Sequence, residues 1–257
     1  YNDGLHSLKI WQLEPDPAHP AACHFCIAGH EGDRTVYRRF PAVSAAWVSI
    51  LTLATARTLT GAASGTLRWI AANAHFPGYL YVLLSSPVAV EGVWCLTSDN
   101  YGATWTTDQI NVGFPASRSG NIMAGIAQGT SPHDPGIALY TAISQTPDGP
   151  AWIHLSLDHG ATWNVQGMMG AGTTTPRCLV DPTDQAIIYW GFYTNPVHPH
   201  ELARSENHGA APVEIDDPHH LGILIDPYFG SLWIWDLDHR WARILHTRHV
   251  WQTTDYC

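Results

Sequence analysis

The octapeptide Ser156-Leu157-Asp158-His159-Gly160-Ala161-Thr162-Trp163 recurs along the chain, and this recurrence restricts the fold more than any other feature. Its pattern is S-x-D-x-G-x-T-W. A second copy, from Ser98 to Trp105, differs only in carrying Asn100 at the Asp position. A third, Ser205-Glu206-Asn207-His208-Gly209-Ala210, lacks the Thr-Trp end, and a fourth is read at Thr253-Thr254-Asp255-Tyr256. The chemistry is that of a tight turn between strands. Such a turn leaves backbone N–H and C=O groups unpaired, and short Ser, Asp and Asn side chains bond them. Glycine at the fifth position (Gly102, Gly160 and Gly209) takes a positive φ without steric cost. Trp105 and Trp163 are expected to fold back over their hairpins as apolar lids.

The copies start at Ser98, Ser156, Ser205 and Thr253, so they are spaced 58, 49 and 48 residues apart. A period of roughly 40–50 residues with several strands per unit belongs to propeller blades. Each unit follows one grammar: an apolar strand, a Gly/Pro/Asp turn, an alternating strand, a variable loop, a third strand, the octapeptide and a fourth strand. The expected fold class is all-β, a β-propeller of four-stranded antiparallel blades, with about five blades visible in a closed ring or part of a larger one. The whole chain of 257 residues is read as one such domain.

Blade one is placed at Ala21–Ile50, with Trp47 standing where a turn Trp would be, 58 residues before Trp105. The later blades run from Leu67-Arg68-Trp69-Ile70 to Ser98, from Asn121-Ile122-Met123 to Ser156, from Cys178-Leu179-Val180 to Ser205, and from Leu221–Ile225 to Thr253. Leu8–Leu13 alternates like a strand and is expected to pair with 247–252, closing the ring. The uncharged run Phe40–Ala56 holds Pro41 and is read as buried strands instead of a membrane span. No segment gives a strong helix signal. The chain opens on Tyr1 and stops within a repeat unit. That is expected of a processed or truncated piece, or of a propeller whose last blade is completed by its own N-terminus.

These octapeptides resemble the Asp-box (BNR) repeats of sialidase-like and related β-propellers, over about residues 66–257. In that family the box is a structural turn on the face away from the ligand. The resemblance is specific for fold and leaves function open, because the family includes sialidases, other glycosidases, sorting receptors and non-enzymatic assembly factors. Sialidases also carry an R-I-P motif, a Tyr nucleophile with a Glu partner, and an Asp acid/base. Here Arg38-Arg39-Phe40-Pro41 is not R-I-P, and no Tyr–Glu pair can be assigned. A sialidase in the strict sense is not expected.

Composition narrows the partners. A net charge of −10 argues against a nucleic-acid or anionic-membrane surface. Lys9 is the only lysine, so nearly all positive charge is guanidinium, which suits carboxylate recognition. Five scattered cysteines do not make a disulfide framework, and Cys23-His24-Phe25-Cys26 has no matching second C-x-x-C. They are read as buried thiols or one ordinary disulfide, and no cofactor or metal is expected.

Strand direction decides which residues share a surface. If the box joins strands three and four, the loops between strands two and three lie on the opposite face, with the loops leading into the next blade, read at Thr106–Arg118, Asn164–Arg177 and Glu214–His220. Arg68, Arg118 and Arg177 stand at or just before innermost strands, with His219 and His220 at the equivalent place in the last blade. A ring of guanidinium groups there would be an anion site. It would resemble the three arginines that hold a sialidase substrate's carboxylate, and the plainer reading pairs each Arg with a neighbouring carboxylate. Candidate acids on this face are Asp108, Asp148, Glu201, Asp216, Asp217 and Asp238, since a glycosidase needs two carboxylates about the scissile bond. His198, His200, His219 and His220 beside Glu201 and Asp217 match no metal-ligand spacing. Tyr193 and Tyr228 are candidates for stacking on sugar rings.

The resulting expectation is an extracytoplasmic or cell-surface module that binds a glycan, peptide or partner protein opposite the boxes. The alternatives are a sialidase-like glycoside hydrolase and a structural subunit of an extracellular assembly.

Overall fold

Strands that bury both faces read as continuous apolar runs, and Leu80-Tyr81-Val82-Leu83-Leu84 is the clearest such run in the chain. In a computed structural model of the chain it is a strand whose every residue is buried. The structure describes residues 5, 9–16, 23–30, 32–40, 43, 46–73, 76–86, 92–110, 118–124, 138–144, 151–168, 177–180, 186–192, 201–210, 213–214, 221–226, 231–236, 241–245 and 250–253.

Among these residues are five four-stranded antiparallel sheets, each of strands consecutive in sequence. Blade one is β1 (Lys9–Pro15), β2 (His24–His30), β3 (Asp33–Arg39) and β4 (Val48–Thr52). Helix α1 (Leu53–Thr60) follows, then blade two with β5 (Thr66–Ala72), β6 (Leu80–Ser85), β7 (Val93–Ser98) and β8 (Thr106–Gln109). Blade three is β9 (Arg118–Ala124), β10 (Leu139–Ser144), β11 (Ala151–Ser156) and β12 (Asn164–Met168). Blade four is β13 (Arg177–Val180), β14 (Ile188–Phe192), β15 (Glu201–Ser205) and β16 (Val213–Glu214). Blade five is β17 (Leu221–Asp226), β18 (Ser231–Asp236), β19 (Trp241–Leu245) and β20 (Val250–Thr253). The first strands touch in sequence order, β1 against β5, β5 against β9 and β9 against β13. The architecture is that of a β-propeller.

Side chains of a strand alternate between its two faces, so an inner strand serves two neighbours at once. Leu80, Val82 and Leu84 of β6 pack with Phe25, Ile27 and Val36 of blade one. Tyr81 and Leu83, on the other face, pack with Leu139 and Ile143 of blade three. Each such residue moves about 1.5–3 kcal/mol of side-chain transfer energy into a joint between blades. The inner strands are further tied by Gln12 of β1. Its Nε2 donates to Ile70 O at 2.6 Å, and its Oε1 accepts from Ile70 N at 2.9 Å. One side chain thus stands in for a strand partner on both backbone groups of Ile70.

Four expectations need correction. The strand at 9–15 pairs with β2 as the first strand of blade one, while β20 pairs with β19. Blade one therefore begins earlier than Ala21, and its alternating segment is satisfied locally. Second, Leu53–Thr60 is helical. Thr52 caps it by accepting from Thr55 N at 3.1 Å, and Gly61 closes it at φ 71°. Its threonines disguised it, because β-branched residues are ordinarily strand formers. Third, Thr253 ends the fourth strand of blade five, so it does not start a box between strands three and four; residues 246–249, which separate those strands, lie outside the described residues. Fourth, residues 106–109 and 164–168 are strands β8 and β12, not loop. Trp47 directly precedes β4, as Trp105 precedes β8 and Trp163 precedes β12.

Among the described residues, no helix is long and apolar enough to cross a membrane. Cys23, Cys26 and Cys95 are buried free thiols, and burial pushes each up to about 12. Cys23 and Cys26 pack into different apolar clusters, so the C-x-x-C spacing does not bring them together as a ligand pair.

Candidate functional site

The boxes fix which end of each blade is which. Ser98 Oγ accepts from Gly102 N at 2.8 Å and from Asn100 N at 3.3 Å, and donates to Asn100 Oδ1 at 3.0 Å. Asn100 Oδ1 in turn accepts from Thr104 N at 2.9 Å. Ser156 and Asp158 repeat the scheme: Gly160 N donates to Ser156 Oγ at 2.8 Å, while Thr162 N and Oγ1 donate to the Asp158 carboxylate at 2.8 and 2.6 Å. Burial pushes the Asp158 pKa up, but the bonds from Thr162, Ser156 and Ala161 outweigh it, and the net pKa is lowered. The third box keeps the Ser205 bonds to Asn207 N and Gly209 N, at 3.1 and 3.0 Å. The box glycines Gly102, Gly160 and Gly209 have φ of 84°, 89° and 92°.

Each box is seated on the blade before it. A Cβ on Gly102 would lie 2.5 Å from Ile50 Cδ1 of blade one, and one on Gly160 would lie 3.0 Å from Thr97 Oγ1 of blade two. The fourth box residue reaches back the same way. His159 Nδ1 is 2.9 Å from Tyr81 OH, and His208 Nδ1 is 2.7 Å from Tyr140 OH. Asn73 Nδ2 donates to Tyr81 OH at 3.2 Å, so Asn73, Tyr81 and His159 form one hydrogen-bonded chain across the joint. Burial lowers the His159 pKa, partly countered by Asp158.

The register then places the candidate site residues. Ser98 opposes Leu80, so the box lies at the start of β6, and Ser85, at its other end, opposes Thr66. Arg68 is exposed at the third position of β5, where the ladder to β6 shifts register. Arg118 opens β9 opposite Ser144, and Arg177 opens β13 opposite Gly191. The three arginines therefore stand on three touching first strands, toward the ends remote from the boxes. Glu201 opens β15 at that same end, opposite Phe192. Tyr193, Asp217, His219 and His220 lie outside the described residues, as do Asp148, Asp216, Asp238, His198, His200 and Tyr228. Among the described residues, no group of three or more His, Cys, Asp or Glu is arranged to hold a metal ion.

Asp108 departs from its expected place. It sits on the outer strand β8 opposite Cys95, not on a loop. There it lines an open cleft of about 380 Å³ against Thr162 and Trp163 of the next blade. Burial, and then the charge of Asp158, raise its pKa.

No protein-family model matches the sequence, and no curated protein matches it. The fold does have solved counterparts. The Hadza microbial sialidase Hz136 superposes with a TM-score of 0.55 at 13% identity, covering 92% of this chain and 56% of that one. The Trypanosoma rangeli sialidase, solved with difluorosialic acid as a covalent intermediate, gives 0.52 at 13%, covering 98% and 47%. The fucose-recognising six-bladed lectin of Aleuria aurantia gives 0.52 at 10%, covering 100% and 81%. The chain thus spans about half the length of the two sialidases. At these identities the likeness establishes a β-propeller fold and nothing finer.

Proposed function

We propose that the chain is an extracytoplasmic propeller module that binds an acid-bearing glycan at the strand ends remote from the boxes. The observation that carries this reading is the alignment of Arg68, Arg118 and Arg177 on three successive first strands at one end. In a chain with a single lysine, three arginines on successive first strands are the strongest anion-directed feature. Binding is preferred over hydrolysis because no acid and nucleophile pair accompanies the arginines among the described residues. The fold's counterparts include both sialidases and a fucose lectin, which supports a sugar as ligand.

The test is a glycan array probed with purified protein, using matched glycans with and without a terminal carboxylate. Acid-bearing glycans should be retained selectively. Arg118→Ala and Arg177→Ala should each weaken them by roughly tenfold or more, the worth of a charge-assisted hydrogen bond. Equal retention of neutral and acidic glycans, or indifference to both substitutions, would remove the arginine site. Release of the aglycone from aryl sialosides would replace binding with hydrolysis.

A further inference from the structure

The cleft at the joint of blades two and three lies on outer strands, away from the arginine-bearing inner strands, and the far-face reading does not explain it. Asp108 and Gln109 of β8 form one wall, and Thr162, Trp163 and Val165 of blade three form the other. The preceding joint is bridged by hydrogen bonds at the corresponding place. There Trp105 sends its indole N–H across to Ile50 O at 3.2 Å. Helix α1 also reaches blade two, where Thr107 Oγ1 donates to Leu59 O at 3.4 Å. At the second joint Trp163 turns back on its own box and donates to Gly160 O at 2.9 Å. Trp163 also packs against the apolar cluster shared by blades two and three, so its ring stands at the joint.

The residue that fills this position also differs from its equivalents. Asp108 opposes Cys95 as Leu51 opposes Val36 in blade one and Gly167 opposes Ile153 in blade three. Leu51 is 1% exposed and belongs to the core. The blade architecture is thus satisfied by leucine or glycine at this place, and a carboxyl is not needed for it.

We propose that this cleft is a binding site for a small organic cation, with the Asp108 carboxylate as counter-charge and the Trp163 indole as the surface beneath it. The size fits, since small-ligand sites run from roughly 300 to 1,000 Å³. The charge fits, because the lining holds a carboxyl and no Lys, Arg or His. Burial and the neighbouring Asp158 both work against the ionised form of Asp108, and a bound cation offsets both. An indole face attracts cations through its quadrupole. Ile110 and Val165 cover alkyl substituents, and Val165 is 41% exposed for that role. A hard divalent metal fits less well, because it demands about six oxygen ligands and the wall supplies one carboxylate, one amide and one hydroxyl.

The probe is tetramethylammonium, with tert-butanol as a neutral body of similar shape and glucose as a polyol. Binding is read from indole N–H resonances at ionic strength matched with sodium chloride. The Trp163 resonance is assigned by its loss in Trp163→Phe. Tetramethylammonium should shift that resonance saturably, and the two neutral probes should not. Asp108→Asn keeps the shape, removes the charge, and should weaken binding by on the order of tenfold. Arg118→Ala and Arg177→Ala should leave it unchanged, which separates this site from the glycan reading. Equal shifts with tert-butanol would make the cleft merely apolar, and saturable binding of glucose would make it a sugar site. Either result, no saturable shift, or unchanged binding in a folded Asp108→Asn protein would overturn the proposal.

Discussion

His154 is 3% exposed, its Nδ1–H donates to Trp152 O at 3.2 Å, and its Nε2 has no hydrogen-bond partner among the described residues. Burial lowers its pKa to about 4, slightly offset by that backbone bond. A base with a depressed folded pKa stabilises the fold fully above its unfolded value, near 6.5. That stabilisation is lost as pH falls from there toward about 4. By pH 5 the loss should reach about 2 kcal/mol, measured as a lowered urea midpoint, and His154→Phe should flatten this part of the profile. The residue scale is also where the sequence is easiest to read. Ser98, Asn100, Ser156 and Asp158 bond backbone groups within six residues, so spacing alone announces the geometry. Thr253 misleads because it begins S/T-x-D without any Gly to turn the chain. Asp108 misleads because a short polar strand, Thr-Thr-Asp-Gln, is indistinguishable by composition from a loop.

At the scale of elements, the informative piece is β1. Its alternating residues indicate a strand, but the expected pairing with 247–252 fails, since β1 joins β2 of its own blade. What anchors it is a polar residue, Gln12, buried against β5. Gln12→Leu keeps comparable bulk and leaves both Ile70 N–H and C=O unpaired. It should cost about 2–4 kcal/mol by chemical denaturation, more than an apolar truncation at the exposed Leu13. Helix α1 escaped sequence reading for a related reason. Its cap residues Thr52 and Gly61 are ordinary helix signals, but they frame only eight residues, three of them threonine. The arginines fared differently. Their strand-start positions followed from the blade grammar, and Arg118 and Arg177 do open β9 and β13.

For the whole molecule, the joints matter more than the sheets. Because Gly160 of blade three rests on Cys95 and Thr97 of blade two, a defect there belongs to two blades. Gly160→Ala must adopt φ near 89° and push on Thr97 Oγ1, and should cost about 1–3 kcal/mol. Amide hydrogen exchange should therefore speed up in β7 as well as in β11 and β12; acceleration confined to blade three would contradict the seating. That seating also has a sense. Every described box leans toward the N-terminal side, onto Ile50, Thr97 or Ile153 of a blade synthesised earlier. On the ribosome each emerging turn would find its socket already made, while the socket on the newest blade stays open until the next blade is translated.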